Sequence, residues 1–164
     1  MKKLFLLRHA KSSWDDPGLA DFDRPLNERG LKAAPRMGRL MRERKVKPDL
    51  VLCSPAERAR QTAALALEAA GLKPELRYDE RIYEATVGQL LEVVSGVGDE
   101  IEAALLVGHN YAIENLLAHL TDEAQHMPTA ALACVSLPLE KWGEIHGAKG
   151  RLEWFVKPRE LAKG

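Results

Sequence analysis

Apolar and polar positions alternate between two regimes along this chain. KKLFLL (residues 2–7), DLVLCS (49–54), AALLVG (103–108) and LACVSL (132–137) are short, nearly unbroken apolar runs. Their length and Val/Leu content predict buried strands. RLEWFVK (151–157) alternates polar with apolar and predicts a half-exposed or edge strand, and ELRY (75–78) predicts a further short one. Between these runs the period lengthens. Leu31, Ala34, Leu40 and Met41 mark one face of a helix over residues 28–45, which Pro35 is expected to kink or restart. Ser54-Pro55 reads as an N-cap with a first-position proline for a helix over 55–70, ended by Gly71. Ile113, Leu116, Leu117 and Leu120 predict a third helix, and TVGQLLEVV a short fourth. Strand–helix alternation predicts an α/β domain: one mostly parallel sheet covered on both faces. No internal repeat or long linker divides residues 1–164, so a single domain is expected. The one extended polar connection is WDDPGLADFDRPLN (14–27), and loops of that length in compact domains are often functional.

Composition narrows the classes. The 24 basic and 24 acidic side chains cancel, which argues against a dedicated nucleic-acid or anionic-membrane binder while allowing a local basic pocket. Cys53 and Cys134 lie in apolar runs and are expected to be reduced, core-packed thiols. Lys2 and Lys3 before LFLL resemble the start of a secretory leader, but Arg8 ends the apolar stretch too soon, and no run suits a membrane span. A cytoplasmic protein is expected.

The polar residues that interrupt the pattern carry the chemistry. Three predicted strands each end in a polar signature: Arg8-His9, then Ser54-Pro55 with Arg58 one turn on, then Gly108-His109-Asn110. Ligands of open α/β sheets sit outside the carboxyl ends of parallel strands. If these strands are parallel neighbours, Arg8, His9, Arg58 and His109 converge beside helix N-termini as an anion site suited to a phosphoryl group. Taken singly, each has a bland reading: a satisfied strand-end donor, a solvated helix arginine, a capping histidine. The repetition favours a site.

Rival phosphate chemistries fail on spacing. There is no G-x-x-x-x-G-K-[ST], and Cys53 stands at the wrong distance from Arg58 and Arg60 for a Cys-x5-Arg loop. Asp21-Phe22-Asp23 looks like an aspartate-nucleophile pair but follows no apolar strand. The histidines show no H-E-x-x-H or H-x-H spacing, so no metal is expected. His119, His126 and His146 read as a helix-face, a loop and a solvated turn residue. A histidine remains as the candidate nucleophile.

LLRHAKSSW, RPLNERG, LCSPAERARQT, ERIYEA and LLVGHN, in that order over residues 4 to 110, with AKGRLEWF near the end, resemble the histidine phosphatase superfamily. Within it they resemble the short SixA-type phosphohistidine phosphatases. Ala10 departs from the glycine usual after the catalytic histidine. Asp15 stands where many members carry an asparagine near the phosphate, and its charge is expected to weaken phosphate binding or to orient Arg8 or Arg58. The resemblance implies a phosphoglycerate mutase-like fold without a large cap insertion. It also implies metal-independent hydrolysis without a cofactor, through a phosphohistidine on His9. Arg8, Arg58 and His109 would hold the phosphate, with His109 protonated in the complex. Glu84 matches the position of the acid that protonates the leaving group, against a bland reading as a solvated loop residue. The expected partner is a phosphorylated protein, such as a histidine-containing phosphotransfer protein. The alternatives are a small phosphomonoester phosphatase with the same machinery, or a phosphate-binding module without turnover.

Overall fold

The computed structural model describes residues 1–161. Its strands are β1 (Lys2–Arg8), β2 (Leu50–Cys53), β3 (Glu75–Tyr78), β4 (Ala103–Gly108), β5 (Leu132–Leu137) and β6 (Arg151–Val156). Its helices are α1 (Glu28–Glu43), α2 (Glu57–Ala70), α3 (Val87–Ser95) and α4 (Ala112–Thr121), with short 3-10 turns between. The strands form one sheet in the order β3-β2-β4-β1-β5-β6. β3, β2, β4 and β1 are parallel, while β5 and β6 run antiparallel to their neighbours. This is a single-domain α/β fold.

The continuous apolar runs reflect burial on both faces. In β1, Leu4 and Leu6 point into a core shared with α3, α4 and Trp142, while Phe5 and Leu7 point into a second core shared with α1 and α2. A strand with period-2 geometry and a core on each side has no position left for a polar residue. The polar residues therefore begin where the strand leaves the cores, at Arg8.

Two helices differ from the sequence reading. α1 runs unbroken through Pro35. The missing N–H forfeits only the bond to the carbonyl of Leu31, and packing against α2 outweighs it. Leu31 is exposed, and Ala34, Met37, Gly38, Leu40 and Met41 form the buried face instead. Gly38 is needed there because a Cβ would strike the Ala66 carbonyl oxygen and lie 2.8 Å from the Ala69 Cβ. α2 begins at Glu57 with Ala56 as its N-cap, so Ser54 and Pro55 precede the helix. Ser54 is left free for other work, because its Oγ only accepts the Ala56 N–H within this turn. No described helix is long and apolar enough to cross a membrane.

Candidate active site

Strand register brings the three signatures to one level. Arg8 pairs with Gly108, and Cys53 with Val107. The His9 N–H donates to the Gly108 carbonyl and the Ser54 N–H to the Val107 carbonyl, both at 3.0 Å. β1, β2 and β4 are thus parallel neighbours whose carboxyl ends interlock. The His9 and His109 rings lie 5.0 Å apart, centroid to centroid.

His9 is buried, and its Nδ1 is 2.7 Å from the Ala10 carbonyl oxygen. A carbonyl only accepts, so Nδ1 carries the proton and Nε2 keeps its lone pair. Burial pushes the His9 pKa down to about 4, opposed by the Ala10 carbonyl and helped by Arg58 and then Arg8. The ring is neutral at pH 7, and desolvation contributes more to this than the arginines do. Ala10 fills the glycine position without strain on its partners: its N–H donates to the Thr62 Oγ1 at 2.9 Å. That hydroxyl donates in turn to the Arg58 carbonyl at 2.7 Å. One threonine thereby ties the loop after His9 to the turn of α2 that carries Arg58.

His109 has Nε2 at 2.7 Å from the Ser54 Oγ. Its pKa is pushed down to about 3, first by burial and then by His9 and Arg58. Without ligand, His109 is therefore neutral with a single ring proton, and a second proton held in a complex must be stabilised by the phosphoryl charge itself. A Ser54 hydroxyl that donates to Nε2 leaves the ring proton on Nδ1, a buried atom with no partner in the protein. The Arg8 Nε is likewise buried and unpaired, while its Nη1 donates to the Met127 carbonyl at 2.9 Å. Unpaired buried donors are costly in a finished structure, so donors left this way at strand ends mark a site for an acceptor-rich ligand.

The loop 14–27 supplies a residue that the sequence reading set aside. Asp21 accepts from the Arg58 Nη2 at 3.0 Å through Oδ2, and its carbonyl accepts from Nη1 at 2.8 Å. The Tyr83 hydroxyl donates to the same Oδ2 at 2.6 Å. Tyr83 and Arg58 together hold the Asp21 carboxyl below its ordinary range, so it is ionised and is no proton donor. Weakening phosphate binding, or orienting Arg8 or Arg58, was expected of Asp15, but Asp15 is exposed and its backbone N–H donates to the Ser13 Oγ, while the carboxylate on Arg58 is that of Asp21. Trp14 instead stacks under the Arg24 guanidinium at 3.9 Å. Asp21, Tyr83 and Thr62 went unrecognised because their partners lie in distant segments. Thr62, one turn after Arg58 on the buried face of α2, had the clearest signal.

Glu84 sits on the rim. It is exposed, adopts a left-handed backbone (φ 55°), and among the described residues makes no side-chain hydrogen bond. Its neighbour Tyr83 presents a ring edge to His109 at 5.5 Å between centroids. The structure thus brings Arg8, His9, Arg58 and His109 together and leaves Glu84 beside them. Cys53 and Cys134 are buried free thiols, and burial pushes Cys53 up to about 12. Among the described residues, no three His, Cys, Asp or Glu side chains gather as metal donors.

A parallel sheet whose strand ends present two arginines and two neutral histidines to one crevice defines a phosphoryl-handling α/β domain. The chain belongs to the histidine phosphatase superfamily (branch 1), whose family model matches residues 4–95, and by that membership it is a phosphatase-type hydrolase. His109 lies beyond the matched segment and reaches the site through the pairing of β4 with β1. An uncharacterized protein of Mycobacterium tuberculosis is 37% identical, over 93% of this chain and 100% of its own. The structure of SixA from Agrobacterium tumefaciens, provisionally assigned as a phosphohistidine phosphatase, superposes with a TM-score of 0.83 at 32% identity, covering 96% of this chain and 98% of that one. The SixA structure from Nakamurella multipartitia, assigned in the same way, gives a TM-score of 0.86 at 28% identity over 96% of both chains.

Proposed function

We propose that this chain is a phosphatase of protein phosphohistidine that works through a covalent intermediate on His9, without a metal or cofactor. The observation that carries the proposal is the state of His9: a buried, neutral ring whose Nδ1 is fixed by the Ala10 carbonyl, leaving the Nε2 lone pair for phosphorus. In the first step the His9 Nε2–P bond forms while the bond from phosphorus to the substrate's imidazole nitrogen breaks, and that imidazole departs with a proton. In the second step water attacks phosphorus, the Nε2–P bond breaks, and inorganic phosphate leaves. Arg8 and Arg58 bind the equatorial oxygens, and a proton on the His109 Nδ1 is donated to them; each such donor is worth about 2.7–4 kcal/mol of transition-state stabilisation.

The protein substrate is supported by openness and by likeness. Between Arg81 and β4 the chain places only the nine-residue α3, and the aromatics Trp14 and Tyr111 at 66% and 74% exposure have no cap over them. A shallow crevice suits a phosphoryl group displayed on a surface. The SixA structures at 32% and 28% identity carry the same substrate assignment.

A substrate panel tests the proposal. His9→Ala is expected to abolish both turnover and acid-labile phosphate incorporation while retaining the fold; wild-type turnover in that variant would falsify the nucleophile. Glu84→Gln addresses small esters, the second reading, which the rim position of Glu84 favours. An alkoxide needs a proton on leaving, so an acid at Glu84 is worth about 10²–10⁴-fold on an alkyl phosphate and little on phosphohistidine. Equal losses on both substrates would return Glu84 to a role in shaping the pocket.

A further inference from the structure

A second concavity lies outside the crevice at the strand ends. A groove of about 1140 Å³ runs along the outer flank of α1, bounded by segment 126–129 and the turn Pro158–Glu160. Its lining includes the cations Lys11, Arg29, Lys32, Arg36, Lys157 and Arg159, and among the described residues no Asp or Glu lines it. None of these six forms an ion pair with a carboxylate among the described residues. The Arg36 Nε is buried without a partner.

This concentration is a property of one face, because the whole chain has no net charge. It also works against folding. Arg29, Lys32 and Arg36 follow one another at spacings of three and four along one helix, where like charges repel. The groove is lined in part by residues close in the chain to those of the proposed site. Lys11 lies two residues after His9, and Gly30 of α1 packs so tightly on Lys11 that a Cβ would strike its carbonyl oxygen. On the other side, Pro128 and Thr129 lie between Met127, whose carbonyl takes the Arg8 Nη1, and Ala130, whose N–H donates to the carbonyls of Arg8 and His9.

We infer that this groove docks the acidic face of the phosphorylated protein substrate, next to the phosphohistidine it presents; the inference rests on the phosphohistidine reading of the site. The groove exceeds the roughly 300–1,000 Å³ of small-ligand pockets, which suits a macromolecular surface. Its cations are interleaved with Leu31, Ala33, Pro35, Pro128 and Pro158, the mixed lining of a protein contact. No Phe, Tyr or Trp among the described residues lines it, and its one ring, His126, has Nδ1 at 2.8 Å from the Glu114 carboxylate, so stacking of single-stranded nucleic acid is disfavoured. An acidic partner steered here arrives with its phosphoryl group already at the mouth of the crevice, a gain in encounter rate more than in chemistry.

The test uses the full chain, the double charge reversal Arg29→Glu/Lys32→Glu, and the charge-keeping control Arg29→Lys/Lys32→Arg. The probes are a histidine-containing phosphotransfer domain with an acidic face, phosphorylated with phosphoramidate, and a small aryl phosphate. The reversal is expected to lower kcat/KM on the phosphorylated domain by on the order of tenfold or more, mainly through KM, and to flatten its salt dependence. The control and all aryl phosphate rates should stay at wild-type values. Unchanged kinetics on the domain, or equal losses on both substrates, would overturn the inference. Anisotropy binding of the unphosphorylated domain reads the groove without turnover. If wild type leaves the phosphorylated domain intact, the phosphohistidine reading fails by itself. Binding lost in the reversal then sustains the groove assignment, and binding that is absent or unaltered overturns it. Reversal-sensitive binding of a duplex oligonucleotide, with the domain unaffected, would assign the groove to nucleic acid and also overturn it.

Discussion

Asp21 decides what a phosphate meets on arrival. Its carbonyl and carboxylate occupy both terminal nitrogens of Arg58, so an incoming phosphoryl group must share that guanidinium with a resident anion. Asp21 is half-exposed, with 51% side-chain accessibility, so solvent screens much of the pair. Its removal is worth about 1 kcal/mol, not the several kcal/mol of a buried pair. Asp21→Asn is therefore expected to tighten competitive inhibition by inorganic phosphate about fivefold. Measured Ki values that are equal, or weaker in the variant, would show that Asp21 serves phosphate by aiming Arg58. Arg8, His9, Arg58 and His109 were legible as a group in the sequence because each ends or closely follows a strand, a position that apolar runs reveal. Asp21 was not legible, because a loop has no period and its partners Arg58 and Tyr83 are 37 and 62 residues away. Of the four left-handed non-glycine residues among those described, Lys45 and Asp122 sit at helix ends, where that conformation is ordinary, whereas Glu84 and Ala130 flank the crevice.

At the scale of elements, α1 and α2 set the distance between the docking groove and Arg58. They pack through small residues, with Gly38 of α1 against the Ala66 carbonyl and Ala69 of α2. A methyl group at position 38 has nowhere to go, since its nearest neighbours are backbone and a Cβ. Gly38→Ala is expected to destabilise by about 1–3 kcal/mol, despite the better helix propensity of alanine. Urea unfolding would read this, and a stabilised variant would mean the helices can separate freely. The element types were legible from period and length, but their ends were less so. Ser54-Pro55 has the composition of a helix start, yet the Ser54 hydroxyl is engaged by His109 and the helix waits until Glu57. Pro35 has the composition of a break, yet the tertiary contact with α2 overrides it. Local rules lose where a distant partner competes for the same group.

Over the whole molecule, two neutral histidines, His9 buried and His109 half-buried, couple stability to pH. Their pKa values, pushed down to about 4 and about 3 in the folded chain, lie below the unfolded value near 6.5. Between those limits the unfolded chain binds more protons, so stability is full above pH 6.5 and falls as pH drops toward 4. Each histidine contributes a slope of up to about 1.4 kcal/mol per pH unit. Denaturation midpoints between pH 7 and 4.5 are expected to fall steeply in wild type and less so in His109→Gln; parallel profiles would place the acid sensitivity elsewhere.

The hydrogen bond from Arg8 to the Met127 carbonyl spans 119 positions of sequence. During synthesis His9 leaves the ribosome long before Met127, whose carbonyl supports the neighbouring Arg8. β1 has no neighbour in the sheet until β4 and β5 have been made. A nascent chain therefore carries His9 just after an unpaired strand, with no fixed ring and no assembled anion cradle, until β4 and β5 have followed. The proposed reactivity toward phosphate therefore waits for that closure, and phosphate binding at these strand ends would report that β1 has found β4 and β5.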